Sequence, residues 1–326
     1  MRKFIFRTVL FAAMGVLLLA GISVINKKLI LDKLYAPQNV VLSRETNLII
    51  IGDSSLEYSY NPAIIKNSIN NARPAENYFY SYYKLKFILE KNKHVKTVVL
   101  GYGYHNLSKN RDADIMPSKM SLQFYNRYFM LLDATGRKEI QKLDMNYLFC
   151  YAKFCLGIPL EFYKNMDLIV DLLLGKFDHT KYPFWGDFSK DKKLRLNVAF
   201  EKMLDAEVVG SFYNGNTIAG KSPVMSAYLV KIAELCSRNN IQLILLATPV
   251  HKDYLSRVPP YYMELNSEML VFLKKRYPDI RYYDYSSLLT DDSFFLDPGH
   301  LNHRGADIFT AELKLKISQE HCCGRS

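Results

Sequence analysis

Hydrophobic positions along the chain form short continuous runs that alternate with stretches of helical spacing. The continuous runs predict buried strands over 47–51, 97–100, 241–247 and 280–285. Apolar residues at helical spacing predict helices over 63–69, 80–93, 224–239, 262–276 and 303–318. Because each strand is apolar along its whole length and alternates with helices, we expect a parallel sheet covered on both faces. Functional residues of such sheets lie at the carboxyl ends of the strands.

Residues 108–222 interrupt this alternation. They are rich in Tyr, Phe, Met and Lys, with helical spacing over 123–132, 144–156 and 160–174. One interpretation is a helical insertion with its own small core; the other is a cap over a substrate pocket, in which Trp185 and the tyrosines offer stacking surfaces. The predicted organisation is a signal anchor over 1–28, a connector over 29–45, an α/β domain over 46–320 that contains the insertion, and a tail over 321–326.

The N-terminal segment is apolar between basic ends. Thr8 to Ile25 contains 18 residues without a charge, and five Lys or Arg residues flank it. This length is near the lower limit for a membrane-spanning helix, and the pattern also describes a cleaved signal peptide or a buried core helix. We favour an uncleaved signal anchor, with the rest of the chain outside the membrane.

Composition narrows the possible partners. The 326 residues are 49% hydrophobic, which excludes a disordered or fibrous chain, and the net charge is +11. The five charges that flank the apolar segment bear on topology, and the remaining +6 suits anionic lipid headgroups or an acidic polymer. No nucleic-acid-binding module is recognisable, so we predict no nucleic-acid partner.

The cysteines predict no metal or redox motif. The five are Cys150, Cys155, Cys236, Cys322 and Cys323, and no pair has the C-x-x-C spacing of zinc or thioredoxin-type sites. Cys150 and Cys155 fit either a short-loop disulfide or two buried thiols. No other ligand cluster, P-loop or dinucleotide fingerprint is present, so we predict no metal and no cofactor.

Two short motifs carry the candidate chemistry. Gly52-Asp53-Ser54 follows the first strand, where a serine on a strand-to-helix turn presents its hydroxyl at the edge of the sheet. A hydroxyl needs a base to become a nucleophile. Asp297-Pro-Gly-His300 precedes the last helix, and its tight turn folds the carboxylate back toward the imidazole.

Together the two motifs resemble the first and last signature blocks of the SGNH (GDSL-type) hydrolase family. The second block continues after His300 as L-N-x-x-G, and the resemblance covers 45–107 and 223–320. It implies a flavodoxin-like, three-layer α/β/α fold. It also implies a catalytic triad in which Ser54 is the nucleophile, His300 the base and Asp297 the orienting carboxylate.

The middle of the chain departs from the family pattern. The family places a Gly after the second strand and a G-x-N-D motif after the third, and both supply oxyanion donors. Here the segment that we align with the second strand, 77–81, has no Gly, and the Asn after Gly101 is displaced to Asn106 with no Asp following. The oxyanion and substrate-binding candidates are therefore Ser81, Gly101, His105 and Asn106. A purely structural hydrogen bond is the alternative role for His105.

A membrane-anchored chain with these motifs also resembles the extracytoplasmic SGNH branch that acts on the cell envelope. That branch includes polysaccharide O-acyl esterases and acyltransferases and the DltD-like proteins, which share a Thr-Pro segment like 248–249 after a core strand. The resemblance implies a serine esterase or acyltransferase of envelope polymers or glycans in the periplasm or at the cell surface. The alternative is a catalytically weak or inactive glycan-binding or scaffold protein. The oligomeric state is not predicted.

Overall fold

The computed structural model describes residues 1–26, 41–116, 128, 131–148, 170, 174–176 and 198–323. The chain divides into two compact units, one made of Leu42–Ile115 with Phe184–Ser326, the other of Met1–Val41 with Met116–Pro183. Cys150, Cys155 and Trp185, and most of the predicted helices over 123–132, 144–156 and 160–174, lie outside the described residues.

The first unit is built on a parallel five-stranded sheet. In chain order, the strands of this unit are β1 (Leu48–Ile51), β2 (Ser68–Asn70), β3 (Thr97–Gly101), β4 (Tyr213–Asn214), β5 (Thr217–Ile218), β6 (Gln242–Ala247), β7 (Arg281–Asp284), β8 (Phe295–Asp297) and β9 (His300–Leu301). The sheet order is β2-β1-β3-β6-β7, and every neighbouring pair is parallel. This is the flavodoxin-type order, so the predicted α/β fold is confirmed. β4–β5 and β8–β9 are separate antiparallel hairpins.

The helices are α1 (Arg2–Asn26), α2 (Ser54–Ser59), α3 (Tyr78–Lys91), α4 (Ala134–Leu143), α5 (Val198–Phe212), α6 (Pro223–Arg238), α7 (Lys252–Ser256), α8 (Pro260–Arg276) and α9 (His303–Cys323). The helices predicted over 80–93, 224–239, 262–276 and 303–318 are thus confirmed as α3, α6, α8 and α9. Their starts follow from local sequence: Ser222 caps α6 by accepting from the Met225 N–H at 2.9 Å, and Pro223 follows at the first helical position.

The core lies between the sheet and its helices. Ile50, Val99 and Leu246 on adjacent strands are buried in one cluster with Phe309 and Leu313 of α9. Burying each such side chain contributes about 1.5–3 kcal/mol. The last helix is therefore fixed to the sheet, and with it the segment that leads into it.

The helix predicted over 63–69 is wrong. Residues 62–67 form turns, and Ser68–Asn70 is the edge strand β2, paired with β1 alone. Asn67 has φ 61°, which breaks a helix and starts the strand. Consequently 97–100 belongs to the third strand along the chain. Residues 77–81, for which the sequence predicts the second-strand block of the family, form the cap and first turn of α3.

The second unit begins with the apolar helix α1. Its segment Arg2–Gly21 has a mean hydropathy of 2.1 over 20 residues, and none of it is buried. It is long and apolar enough to cross a membrane. Of the predicted insertion, the described residues are mainly helical, with α4 in this unit and α5 in the first.

Candidate active site

Ser54 stands on a sharp turn between β1 and α2. Gly52 makes the turn with φ 152°, where a Cβ would lie 3.2 Å from both the Gly101 N and the Leu56 Cδ1. Only glycine suits this conformation and this close approach of β1 to β3. Asp53 then caps α2, its Oδ1 accepting from the Ser55 N–H at 3.0 Å. The turn therefore fixes Ser54 at the carboxyl edge of the sheet.

The β8–β9 hairpin brings His300 to Ser54. Asp297 and His300 are paired in the hairpin, and Asp297 Oδ1 lies 2.7 Å from His300 Nδ1. The same oxygen accepts from the Gly299 N–H at 3.0 Å. His300 Nε2 lies 2.7 Å from Ser54 Oγ. Serine, imidazole and carboxylate thus form one continuous hydrogen-bonded chain.

The rest of the second motif anchors this hairpin to α9. The Asn302 side chain donates to the carbonyls of Ser293 at 2.7 Å and Phe295 at 3.2 Å, and its Oδ1 accepts from the Gly305 N–H at 3.2 Å. A Cβ on Gly305 would lie 2.3 Å from the Phe294 carbonyl oxygen. Asn302 and Gly305 therefore let the first turn of α9 contact the hairpin directly.

The surroundings of His300 favour its charged form. Burial lowers the pKa of the imidazole, but the hydrogen bond and charge of Asp297, with the charges of Glu207 and Asp53, raise it above its ordinary value. Tyr58 places its ring edge-on to the imidazole, with centroids 5.2 Å apart. The imidazolium that forms when His300 takes a proton is thereby stabilised.

A second histidine–carboxylate pair is formed by His105 and Asp53, the residue that precedes Ser54. His105 and Asn106 stand on a 3-10 turn after β3, and Asp53 Oδ2 is 2.7 Å from His105 Nε2 and 2.8 Å from Asn106 Nδ2. Burial raises the pKa of Asp53, but the charge and hydrogen bond of His105, with Arg111 and Asn106, hold it well below its usual range. Asp53 therefore stays ionised.

Asn106 keeps one amide hydrogen available. Its Oδ1 accepts from the Gly103 N–H at 2.7 Å, which fixes the orientation of the amide. One Nδ2 hydrogen goes to Asp53. His105 Nε2, 3.2 Å from Asn106 Nδ2, already donates to Asp53 and so does not accept a second hydrogen bond. Among the described residues, the remaining Nδ2 hydrogen has no other acceptor.

Ser81 and Gly101 are not part of this cluster. Ser81 is buried in α3, its hydroxyl donating to Glu76 Oε1 at 2.8 Å and its N–H to the Asn77 carbonyl at 2.9 Å. The prediction that 77–81 supplies a donor is therefore wrong, because that segment is helical. Gly101 is buried at the end of β3, where its carbonyl accepts from the Tyr78 hydroxyl at 3.0 Å and its bare Cα packs against Leu56.

The first three backbone N–H groups after the true second strand are already paired. The N–H groups of Asn71, Ala72 and Arg73 donate to the Ile50 carbonyl, Asn70 Oδ1 and the Gly52 carbonyl. These bonds hold the segment beside β1 and the turn of Ser54. These three N–H groups are therefore not available as oxyanion donors.

Two carboxyl groups near the site were not predicted from the sequence. Burial raises the pKa of Asp114 although Arg111 lies 2.8 Å away, and burial raises the pKa of Glu207 although the charge of His300 opposes it. Both come from the region assigned to the insertion, where no motif marks them. Only the position of α5 beside the hairpin identifies Glu207.

His251, which follows the Thr-Pro segment, is hydrogen-bonded to the turn of the β8–β9 hairpin through its backbone. Its side chain is buried, with Nε2 2.9 Å from Asp292 Oδ1, and its N–H donates to the Pro298 carbonyl at 3.0 Å. The segment therefore holds the turn between Asp297 and His300. Within the described ranges, no three His, Cys, Asp or Glu side chains converge as metal ligands.

Comparisons with known proteins give likenesses of structure alone. No protein-family model matches the chain, and no curated protein matches its sequence. The chain is similar to a GDSL-like lipase from Bacteroides thetaiotaomicron, with a TM-score of 0.42 and 13% identity over 88% of this chain and 97% of that one. It is also similar to a Bacteroides fragilis protein described as an acylhydrolase, with a TM-score of 0.41 and 12% identity over 88% and 95% of the two chains. TM-scores and identities this low do not assign an activity to this chain.

Proposed function

We propose that this protein is a serine esterase or acyltransferase of the SGNH type. One observation carries the proposal: the continuous chain from Ser54 Oγ to His300 Nε2 and from His300 Nδ1 to Asp297, with both contacts at 2.7 Å. These are the distances at which a base takes the proton of a nucleophile and a carboxylate fixes the tautomer of that base. All three groups stand on the sheet edge or on the hairpin that α9 anchors.

The first half of the reaction acylates the serine. Ser54 Oγ attacks the carbonyl carbon of an ester while His300 Nε2 accepts the hydroxyl proton. The tetrahedral oxyanion then collapses, and His300 gives its proton to the leaving alkoxide. An acyl-Ser54 ester and a free alcohol result.

The second half releases the acyl group. Water or an acceptor hydroxyl attacks the acyl-Ser54 carbonyl, His300 takes the proton of the attacking oxygen, and Ser54 leaves with that proton. Water gives a free acid, and a sugar hydroxyl gives a new ester. Hydrolysis and transfer therefore differ only in which hydroxyl reaches the acyl-enzyme.

Asn106 and the Ser54 N–H are the proposed oxyanion donors. The amide of Asn106 is fixed by Gly103 and Asp53 and keeps one Nδ2 hydrogen available, so it needs no reorientation as charge develops. Residues 71–77, which follow the second strand, contain no glycine, so the third donor of the family pattern has no direct counterpart. One missing donor typically lowers turnover about 10²–10³-fold, which motivates the alternative of a weak enzyme or a glycan-binding scaffold.

The proposed setting is the outer face of a membrane. The basic residues on either side of the uncharged run from Thr8 to Ile25 support a signal anchor, as does the mean hydropathy of the 20-residue segment Arg2–Gly21. The acyl groups of envelope glycans or polymers are the proposed substrates, because an anchored domain with a serine nucleophile and a modest positive charge suits an acidic, acylated polymer.

A serine-reactive fluorophosphonate probe tests the nucleophile. The full-length protein in mild detergent should be labelled and should hydrolyse p-nitrophenyl acetate, and Ser54→Ala should lose both properties. Ser55→Ala is the matched control, because it removes the neighbouring hydroxyl and should leave labelling intact. Absence of labelling and turnover in the folded wild type would favour the scaffold.

A further inference from the structure

In the turn of the β8–β9 hairpin, the absence of a side chain on Gly299 leaves space that the Glu207 carboxylate fills. Its φ lies outside the left-handed range, so the backbone does not require glycine. A Cβ built there would meet one side chain, Glu207, at 2.7 Å from Oε1, 3.2 Å from Cδ and 3.7 Å from Oε2. The bare Cα of Gly299 therefore makes room for a carboxylate directly beside the residue that precedes His300.

Glu207 reaches this position from α5, which packs against β8. Among the residues that the structure describes, its carboxylate has no hydrogen-bond or ion-pair partner. It is half-buried, and burial raises its pKa above the ordinary value. A partly desolvated carboxylate without a partner is costly, so its interaction with a nearby charge is stronger than at an open surface.

We propose that Glu207 is a positioning residue for His300. Its carboxylate, admitted by the bare Cα of Gly299, adds its negative charge to those of Asp297 and Asp53 around His300 and favours the imidazolium that forms when Ser54 gives up its proton. The inference rests on the proposed function for its catalytic meaning, but the coupling between Glu207 and His300 is measurable without turnover.

Several charged and titratable groups face this pair. Asp297 approaches His300 from the hairpin, Asp53 from the turn after β1, and Tyr58 from α2. Glu207 interacts in turn with His300, Asp297, His105, Asp53 and Tyr254. Since Asp297 and Asp53 have assigned hydrogen bonds to His300 and His105, Glu207 is the carboxylate in this set whose charge is not already used by a direct bond.

The pair predicts a defined pH response. The charge of Glu207 raises the pKa of His300, so Glu207→Gln should lower the pKa of His300. The base is active when neutral, and the acidic limb of the kcat/KM profile should therefore move to lower pH. At the pH-independent plateau, kcat of Glu207→Gln should be roughly two- to fivefold below that of the wild type, the size expected for a partly solvated charge pair, and KM should be unchanged.

The coupling is tested by measuring the pH titration of the His300 imidazole by NMR. The full-length protein is labelled with 15N-histidine, and the His300 signals are assigned with the His300→Gln variant. Glu207→Gln should shift the His300 titration to lower pH, and Glu201→Gln, on the same helix and ion-paired at the surface with Arg257, should not. Gly299→Ala should shift the His300 titration in the same direction, because the new Cβ displaces the Glu207 carboxylate. Combining Gly299→Ala with Glu207→Gln should shift the titration no further than Glu207→Gln alone.

The outcomes separate the two proposals. An unchanged His300 titration in Glu207→Gln, or a rise in KM alone, overturns the role of Glu207. If Glu207→Gln shifts the His300 titration but the wild type shows no labelling and no ester turnover, the Glu207–His300 coupling is supported and the proposed function fails. Additive shifts in the double variant would also overturn the argument from Gly299.

Discussion

At the scale of single residues, Asp53 divides its two oxygens between two tasks. Oδ1 caps α2 and so holds Ser54 on its turn, whereas Oδ2 accepts from His105 and Asn106. Because the pKa of this buried carboxyl is held well below its usual range, Asp53 is ionised at neutral pH and accepts both sets of bonds as a carboxylate. One side chain thus couples the nucleophile to the proposed oxyanion donor.

Asp297→Asn tests the orienting carboxylate. Asn preserves the shape of the side chain but removes the charge that raises the pKa of His300 and stabilises its imidazolium. We expect kcat to fall roughly 10³–10⁴-fold and the acidic limb of the residual activity to move to lower pH. The measurement is kcat/KM for p-nitrophenyl acetate from acidic to neutral pH. A normal rate with an unshifted limb would contradict the role of Asp297.

Asn106→Ala tests the oxyanion donor. Since the free Nδ2 hydrogen is proposed to bind charge that appears only in the transition state, kcat should fall about 10²–10³-fold with little change in KM. Asn239→Ala is the control, because that amide bonds the Leu235 carbonyl at the end of α6. Steady-state kinetics measure kcat and KM of both variants. An effect of Asn106→Ala on KM alone would instead make Asn106 a substrate-binding residue.

At the scale of elements, the sequence predicts what is encoded locally. β1, β3 and β6 are mostly apolar runs, and these three strands and the more polar β7 are found where predicted. One motif follows the first strand of the chain and the other precedes its last helix. β2 was missed because Ser68–Asn70 is short and partly polar, and its pairing with β1 is a long-range property. Ser81 was misplaced as a consequence. Glu207 was missed for the same physical reason, since only the packing of α5 brings it to the hairpin.

Gly305→Ala tests how α9 anchors the catalytic hairpin. The new Cβ would lie 2.3 Å from the Phe294 carbonyl oxygen, and because that atom is backbone, the helix or the hairpin must shift. We expect the free energy of unfolding to fall by about 1–3 kcal/mol and kcat to fall with it. Urea denaturation and kinetics below the transition measure the two effects. Gly210→Ala, on α5 with open space around its Cα, is the control: it should not lower the free energy of unfolding, which helix propensity would raise by about 0.5–1 kcal/mol, and it should leave kcat unchanged.

At the scale of the molecule, the candidate site is assembled from distant parts of one compact unit. The nucleophile turn, the 3-10 turn of Asn106, α5 and the β8–β9 hairpin all belong to Leu42–Ile115 or Phe184–Ser326. The sheet brings the first two together because β1 and β3 are neighbours with parallel register. The net charge of +11 does not describe this site, where Asp53, Glu207 and Asp297 gather around two histidines.

The N-terminal helix gives the prediction that concerns the whole chain. α1 exposes its apolar surface on every side, and an arginine at the centre of a membrane-spanning helix costs about 2.5–3.5 kcal/mol. Leu17→Arg with Leu18→Arg should therefore release the protein from the carbonate-washed membrane fraction, whereas the matched Leu17→Val with Leu18→Val should remain there. Probe labelling of Ser54 should be the same in both, because every residue proposed for the site belongs to Leu42–Ile115 or Phe184–Ser326. A wild type found in the soluble fraction at full length would contradict the anchor, and one found there as a shorter chain would mean that the segment is a cleaved signal peptide.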